Sequence, residues 1–140
     1  MDAAANRELL EKAYAALAEG DTGPWAACLH EDVVWTVIGT SPWSGTYNGR
    51  QAVLTELLGP LQAQLAPDAK VTPRAFTAEG DRVVVEAAGP GNRTATGRAY
   101  ENEYCWVFRM EKGRAVQVKE YSDTELMAAV LGAPGEPPPA

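Results

Sequence analysis

Apolar residues recur at helical spacing near the start of the chain and at alternate positions near its end. Leu10, Ala13, Tyr14 and Leu17 make one stripe of a helix predicted over Asn6–Glu19. Gly20-Asp21 stops it, because glycine suits the position just past a helix. Asp21 or Thr22 caps a short second helix through Pro24 to Leu29; proline fits a first turn, where its missing N–H would be unpaired anyway. VVWTVI, from Val33, is rich in β-branched residues and predicts a strand. Gly39–Gly49 is a loop by composition, although it carries Trp43 and Tyr47. Helical spacing returns over Arg50–Leu65, with Leu54, Leu57, Leu58, Leu61 and Leu65 on one face. Gly59-Pro60 should kink that helix or split it in two.

A meander follows. Strands are predicted over Lys70–Thr77, Arg82–Ala88, Gly97–Met110 and Arg114–Tyr121. Asp123 caps a last helix, Thr124–Leu131. The Pro-rich tail 132–140 offers no means of packing and is expected to be disordered. Residues 1–131 then form a single domain. Helices first and a mostly antiparallel sheet afterwards is an α+β layout. A strand as long as the one from Gly97 must bend strongly, and helices packed inside the bend make a cone with one open end.

Side chains alternate across a strand, so each polar residue can be assigned a face. Asn102, Tyr104, Trp106 and Phe108 share one face; Val116, Val118 and Glu120 share a face of the next strand. Both apolar sets should face the helices, which carries Asn102 and Glu120 inward. Pairing Phe108 with Val116 brings Tyr104 opposite Glu120. Centring the loop Gly89–Thr96 brings Glu86 near Asn102. The expected result is a polar cluster of Glu86, Asn102, Tyr104 and Glu120 on an apolar wall. Trp35, Val37 and Trp106 line it, with Trp43 near the mouth.

Two carboxylates close together in an apolar pocket cannot both ionise cheaply, so one is raised toward neutral pH. That suits a general acid or base. Glu120 is the proposed catalytic group, Glu86 assists it, and Asn102 and Tyr104 hold a substrate oxygen. Plainer readings stand beside these. Glu120 pairs with Arg98, Arg50 or Lys119 at the sheet edge; Glu86 faces solvent on a twisted strand; Asn102 satisfies its neighbours' hydrogen bonds. His30, the one histidine, lies in a helix-to-strand turn, so a histidine-based metal site is not expected.

Charge narrows the partners. Twelve Lys and Arg against 19 Asp and Glu give a net charge of −7, which repels a phosphate backbone. No nucleic-acid partner is expected. No apolar run has membrane-spanning length, so no membrane partner is expected either. The start, MDAAANRELLEK, lacks the basic and apolar segments of a signal peptide. Cys28 and Cys105 stand alone, without metal-ligand spacing. A cytoplasmic protein with reduced thiols and no metal or organic cofactor is the expectation, with a hydrophobic small molecule as ligand.

Four segments carry a family pattern: YAALAEGD (14–21), LHEDVVW (29–35), PWSGTYNGRQAV (42–53) and NEYCWVFRMEKGRAVQVKEYSDTEL (102–126). Together they resemble the nuclear transport factor 2-like superfamily, in its SnoaL-like, ketosteroid-isomerase-related branch. The resemblance implies a cone-shaped barrel: a strongly curved, mostly antiparallel sheet wrapped around N-terminal helices. It also implies a hydrophobic pocket and a homodimer on the outer sheet face, where Cys105, Val107 and Val85 are expected. The family hosts isomerases, polyketide cyclases, epoxide hydrolases and non-catalytic binders. This chain departs from two of its patterns. Val37 stands where the isomerase base would be, and Tyr14 is one residue off the isomerase tyrosine. Glu101-Asn102-Glu103 stands where the epoxide hydrolases carry Arg-x-Asp. Glu120 is the residue the resemblance carries over, as the acidic group near the end of the sheet.

Overall fold

Asp2 starts the first helix: its Oδ1 accepts the Ala5 N–H at 2.8 Å, satisfying one of the donors a helix start leaves free. The computed structural model describes residues 1–140. Its elements are α1 (Ala3–Ala18), α2 (Gly23–Ala27), β1 (Leu29–Val37), β2 (Gly45–Asn48), α3 (Arg50–Ala52), a π-turn (Val53–Leu58), α4 (Gly59–Gln64), β3 (Thr72–Glu79), β4 (Arg82–Ala88), β5 (Glu103–Glu111), β6 (Arg114–Ser122) and α5 (Thr124–Val130). Asp123 caps α5 through Oδ1, which accepts the Leu126 N–H at 3.0 Å.

The strands form one curled sheet in the order β2-β1-β6-β5-β4-β3. All neighbours are antiparallel except β1 and β6, which run parallel. The layout is α+β, with α1 lying across β3 and β4 and packing against α2. The α1 stripe buries Asn6, Leu10, Ala13 and Tyr14, while Leu17 is half-buried at its end. Each fully buried apolar side chain of that stripe contributes about 1.5–3 kcal/mol.

Three elements differ in detail from the sequence reading. The loop 39–49 contains β2, whose Gly45–Asn48 pairs antiparallel with Val34–Val37 of β1. The helix after it is interrupted just before Gly59-Pro60, where a π-turn over Val53–Leu58 lies between α3 and α4. The Gly59 N–H donates to the Leu54 carbonyl, one residue farther back than in an α-helix. A Cβ on Gly59 would lie 2.9 Å from that same oxygen, so the wide turn requires glycine. The strand expected from Gly97 begins only at Glu103, because Asn102 Oδ1 takes the Glu103 N–H at 2.7 Å and holds the chain out of the ladder.

Residues 132–140 carry no helix or strand, yet they have packing partners. Ala133–Glu136 is a tight turn with the Glu136 N–H on the Ala133 carbonyl at 2.9 Å. Gly135 sits at φ +86°, where a turn of this kind wants glycine after proline. Trp43, Gln64 and Thr96 hold the backbone of this segment by hydrogen bonds. No helix is long and apolar enough to cross a membrane.

Candidate active site around Glu120

Glu120 lies on β6 between Val37 of β1 and Trp106 of β5, its Cα partners in the sheet. The side chain points inward and is only 5% exposed. Oε1 accepts the Trp106 indole N–H at 2.9 Å, and Oε2 accepts the Ser122 hydroxyl at 3.5 Å. The Trp35 indole N–H also favours the carboxylate charge, although it makes no hydrogen bond. No cation reaches the group. Arg50 donates to the Leu29 carbonyl, Arg98 to the Ala129 carbonyl, and Lys119 sits over the Tyr121 ring. The edge ion pair allowed by the sequence is therefore not formed. Burial pushes the Glu120 carboxyl above the usual carboxylate range, and the Trp106, Trp35 and Ser122 donors only partly oppose it.

Aromatic rings surround this carboxylate. Tyr104 stacks on Trp106 with centroids 4.9 Å apart and planes at 10°. Tyr14, from α1, stacks on the same indole at 5.9 Å and meets Phe108 edge-on at 6.5 Å. Trp35 lies 5.9 Å from Trp25 and 6.4 Å from Phe108. The expected hollow is thus occupied by rings: Trp35, Val37 and Trp43 are almost completely buried core residues. What exposure remains on this wall belongs to Tyr104 at 9%, Trp106 at 7% and Glu120 itself.

The Tyr14 hydroxyl is fully buried and has no hydrogen-bond partner. Burial raises its pKa far above the ordinary phenol value, and the Glu120 charge adds to this, while the nearby Trp25 indole opposes it. Burial likewise holds Tyr104 neutral, with Tyr100 and Glu120 adding to the effect. Both phenols are donors at physiological pH. Sequence reasoning placed Tyr14 on the buried stripe of α1 but assigned it no part in the site. The missing signal was spatial: α1 lies across the sheet so that its stripe meets Trp106. Ser122 was also missed, although it is two residues beyond Glu120.

Asn102 is buried as expected, but it does not face Glu120 as a free donor. Its Oδ1 accepts the Glu103 and Asp123 N–H groups at 2.7 and 3.0 Å, and its Nδ2 reaches the Tyr100 hydroxyl at 3.0 Å. It clasps the start of β5 to the start of α5, which is the plainer of the two sequence readings. Trp43 is also not at a mouth; its indole is buried and donates to the Gly132 carbonyl at 2.9 Å.

Glu86 is a correction. It is exposed on the outer face of the sheet, paired with Cys105, while Val85 points into the core. The Gly89 N–H bonds the Asn102 carbonyl, so Gly89 rather than Glu86 stands beside Asn102. That offset of three residues is odd, and an odd offset exchanges the two faces. Glu86 therefore has no contact with Glu120, and Val85 is lost from the outer face. The β5–β6 register is offset by an even number. Phe108 pairs with Val118 and Trp106 with Glu120: the turn sets Glu111 opposite Arg114, one step from the expected register, and Val116, an extra, bulged residue between Gln117 and Ala115, adds a second step. Face assignments survive there, and Tyr104 moves opposite Ser122.

Outside the core, an open groove of about 520 Å³ crosses the outer face, lined among others by Arg74, Glu86, Glu103, Cys105 and Tyr121. His30 is a turn residue whose Nδ1 accepts the Asp32 N–H at 3.0 Å. No three His, Cys, Asp or Glu side chains converge as metal ligands.

A SnoaL-like domain family matches residues 10–118, most of the chain, with β1 to β5 complete and β6 as far as Val118. The chain belongs to the SnoaL-like family. Glu120 lies two residues beyond the matched segment. A nuclear transport factor 2-like protein of unknown function from Burkholderia pseudomallei is similar, with 26% identity over 87% of this chain and 93% of that one, at a TM-score of 0.73. A nuclear transport factor 2-like protein from Burkholderia thailandensis aligns at 22% identity over 91% and 96% of the two chains, with a TM-score of 0.77. An epoxide hydrolase from M. tuberculosis, of the limonene epoxide hydrolase-like kind, aligns at 22% identity over 89% and 87%, with a TM-score of 0.62. No curated protein matches the sequence. These likenesses establish the nuclear transport factor 2-like fold of this SnoaL-like chain; its chemistry has to be argued from the site.

Proposed function

We propose that this SnoaL-like protein is a small enzyme that moves a proton on a hydrophobic, oxygenated small molecule, with Glu120 as the acid–base group. The observation that carries this reading is a carboxyl group buried in an aromatic shell with no cation beside it. A structural carboxylate in such a place would be expected to have a cationic partner, since burying an unpaired charge is costly. A carboxyl held above its usual range is suited to exchange a proton near neutral pH.

The roles follow from donor and acceptor chemistry. Glu120 takes a proton from carbon or oxygen next to a carbonyl and returns it at another atom of the same molecule. Negative charge develops on the substrate oxygen, and the proposed donor to it is the unpartnered Tyr14 hydroxyl, whose ring stacks on Trp106. Trp106 Nε1 orients the Glu120 carboxylate, and the Tyr104 and Trp106 rings offer a flat apolar wall. Isomerisation and aldol-type cyclisation fit this set without an organic cofactor; hydrolysis fits when Glu120 instead takes the proton of a water that attacks the substrate carbon and returns it to the oxygen released by C–O cleavage. Access is proposed on the side where Tyr104, Trp106 and Glu120 keep some exposure. A second copy is proposed to cover the outer face around Tyr121, Cys105 and Val107.

Turnover measured over a panel of cyclic ketones, polyketide-like substrates and epoxides tests the assignment. Glu120→Gln keeps the shape and removes the acid–base function, so a loss of about 10²–10⁴-fold is expected. Wild-type turnover in that variant would refute the role. A second reading, a ligand binder without chemistry, is favoured by the absence of the isomerase and epoxide hydrolase constellations, where this chain has Val37 and Glu101-Asn102-Glu103. It predicts binding to members of the same panel with no product formed.

A further inference from the structure

We propose that Gly132–Pro139 is a strap closing the end of the barrel that holds Glu120, and that its release opens the way in. This rests on the reading that a small molecule reaches Glu120.

Gln64 ends α4 and is only 2% exposed, an unusual burial for a glutamine. All the hydrogen bonds of its side chain go to this one segment. Oε1 accepts the Gly132 N–H at 3.0 Å, and Nε2 donates to the Ala133 carbonyl at 3.4 Å and to the Glu136 carbonyl. Trp43 Nε1 takes the Gly132 carbonyl, so both polar groups of Gly132 are satisfied by buried side chains. The Thr96 hydroxyl donates to the Pro139 carbonyl at the far end. The segment folds back on itself so closely that a Cβ on Gly132 would collide with the Pro137 carbonyl. Side chains from three separate elements thus form a built seat for this backbone.

The seat is at the right end of the sheet. Ile38, at the start of the Trp43 loop, donates its N–H to the Glu120 carbonyl at 3.1 Å. The Tyr47 hydroxyl donates to the Trp43 carbonyl at 2.8 Å, and the Glu120 charge raises the Tyr47 pKa together with its burial. The strap thus bonds Trp43, whose loop is tied to Tyr47 and leaves β1 at Ile38, beside the Glu120 backbone. A handful of hydrogen bonds holds the strap, whereas ladders hold the strands. Segments held this way open locally, well below the cost of global unfolding. Release would free Trp43 and the α4 end while the sheet stays intact.

Hydrogen exchange on the full chain and on Gln64→Leu tests this, beside the rate of anilinonaphthalene sulfonate uptake. The Gly132 and Glu136 amides, both bonded in the structure, should be protected in the wild type and exchange freely in Gln64→Leu. Residues 39–47 and 59–64 should then exchange faster, with β4, β5 and β6 unchanged. Dye uptake should rise about fivefold or more, the equivalent of one net hydrogen bond. A chain ending at Leu131 should behave the same way. Unprotected Gly132 and Glu136 in the wild type, or unchanged uptake in a folded Gln64→Leu, would overturn the strap. Loss of protection across β4–β6 would too, by making the segment part of the core. If Glu120→Gln keeps full turnover while these exchange results hold, the acid–base reading fails and the strap stands as a gate to a binding site.

Discussion

Trp106→Phe isolates the one strong bond to the buried carboxylate. The substitution keeps a ring stacked between Tyr104 and Tyr14 but deletes the indole N–H that reaches Glu120 Oε1 at 2.9 Å. A hydrogen bond to a charged group is worth about 1.5–3 kcal/mol. All of it favours the ionised form, because an indole N–H can only donate. Removing it leaves Ser122 at 3.5 Å and the unbonded Trp35 indole N–H to favour the charge. The titration midpoint of Glu120 should therefore move further up, by about one pH unit for each 1.4 kcal/mol lost. Carbon-13 NMR of labelled glutamate side chains reads this directly, since Glu120 is the buried glutamate. The low-pH limb of any pH–rate profile should follow the same shift when Glu120 acts as a base. A midpoint that stays put, or that falls, would show that the indole does not stabilise the carboxylate, and the geometry argued above would be wrong.

Glu120→Gln should remove a pH dependence of stability. In the wild type the folded state holds the Glu120 proton more tightly than the unfolded chain does. That contribution is full below the ordinary glutamate pKa and is lost as pH rises through the higher folded value. Chemical denaturation should show the Gln variant gaining on the wild type from acid toward neutral pH; a constant difference refutes the shift. Glu86→Gln, on the outer face, should change stability by less than about 0.5 kcal/mol and leave any turnover unaltered. Asn102→Ala loses its clasp on Glu103, Asp123 and Tyr100 and should cost about 2–4 kcal/mol by urea denaturation. A loss under 1 kcal/mol, roughly one ordinary hydrogen bond, would mean the clasp is not structural.

The parts of the fold visible in the sequence were those with a regular period. Tyr104, Trp106 and Phe108 alternate cleanly, so their inward face could be read, and with it the direction of Glu120. The exact partners could not, because the bulge at Val116 leaves no mark in the alternation. Glu86 failed for a related reason. The connection from Gly89 to Asn102 is not a symmetric hairpin; Arg93 and Ala99 bridge across it, and Asn102 ends it with its side chain. Centring such a loop gives an arbitrary offset, and half of all offsets have the wrong parity. Tyr14 was legible as core but not as a neighbour of Glu120, since helix-to-sheet contacts have no sequence period. The segment after Leu131 was read by composition, which hid a local signal: Pro134-Gly135 is turn chemistry.

The parallel pairing of β1 with β6 joins Val37 to Glu120, residues far apart along the chain. A ribosome making this chain exposes β1 long before its neighbour exists. During that interval the strand can pair with β2 on one edge only, and its other edge stays open to any passing strand. Contacts so distant along the chain are slow to form, since loop closure must precede them. The carboxylate's surroundings are therefore assembled only after β6 has been made, and chaperone dependence during expression should track the time between β1 and β6 more than overall stability.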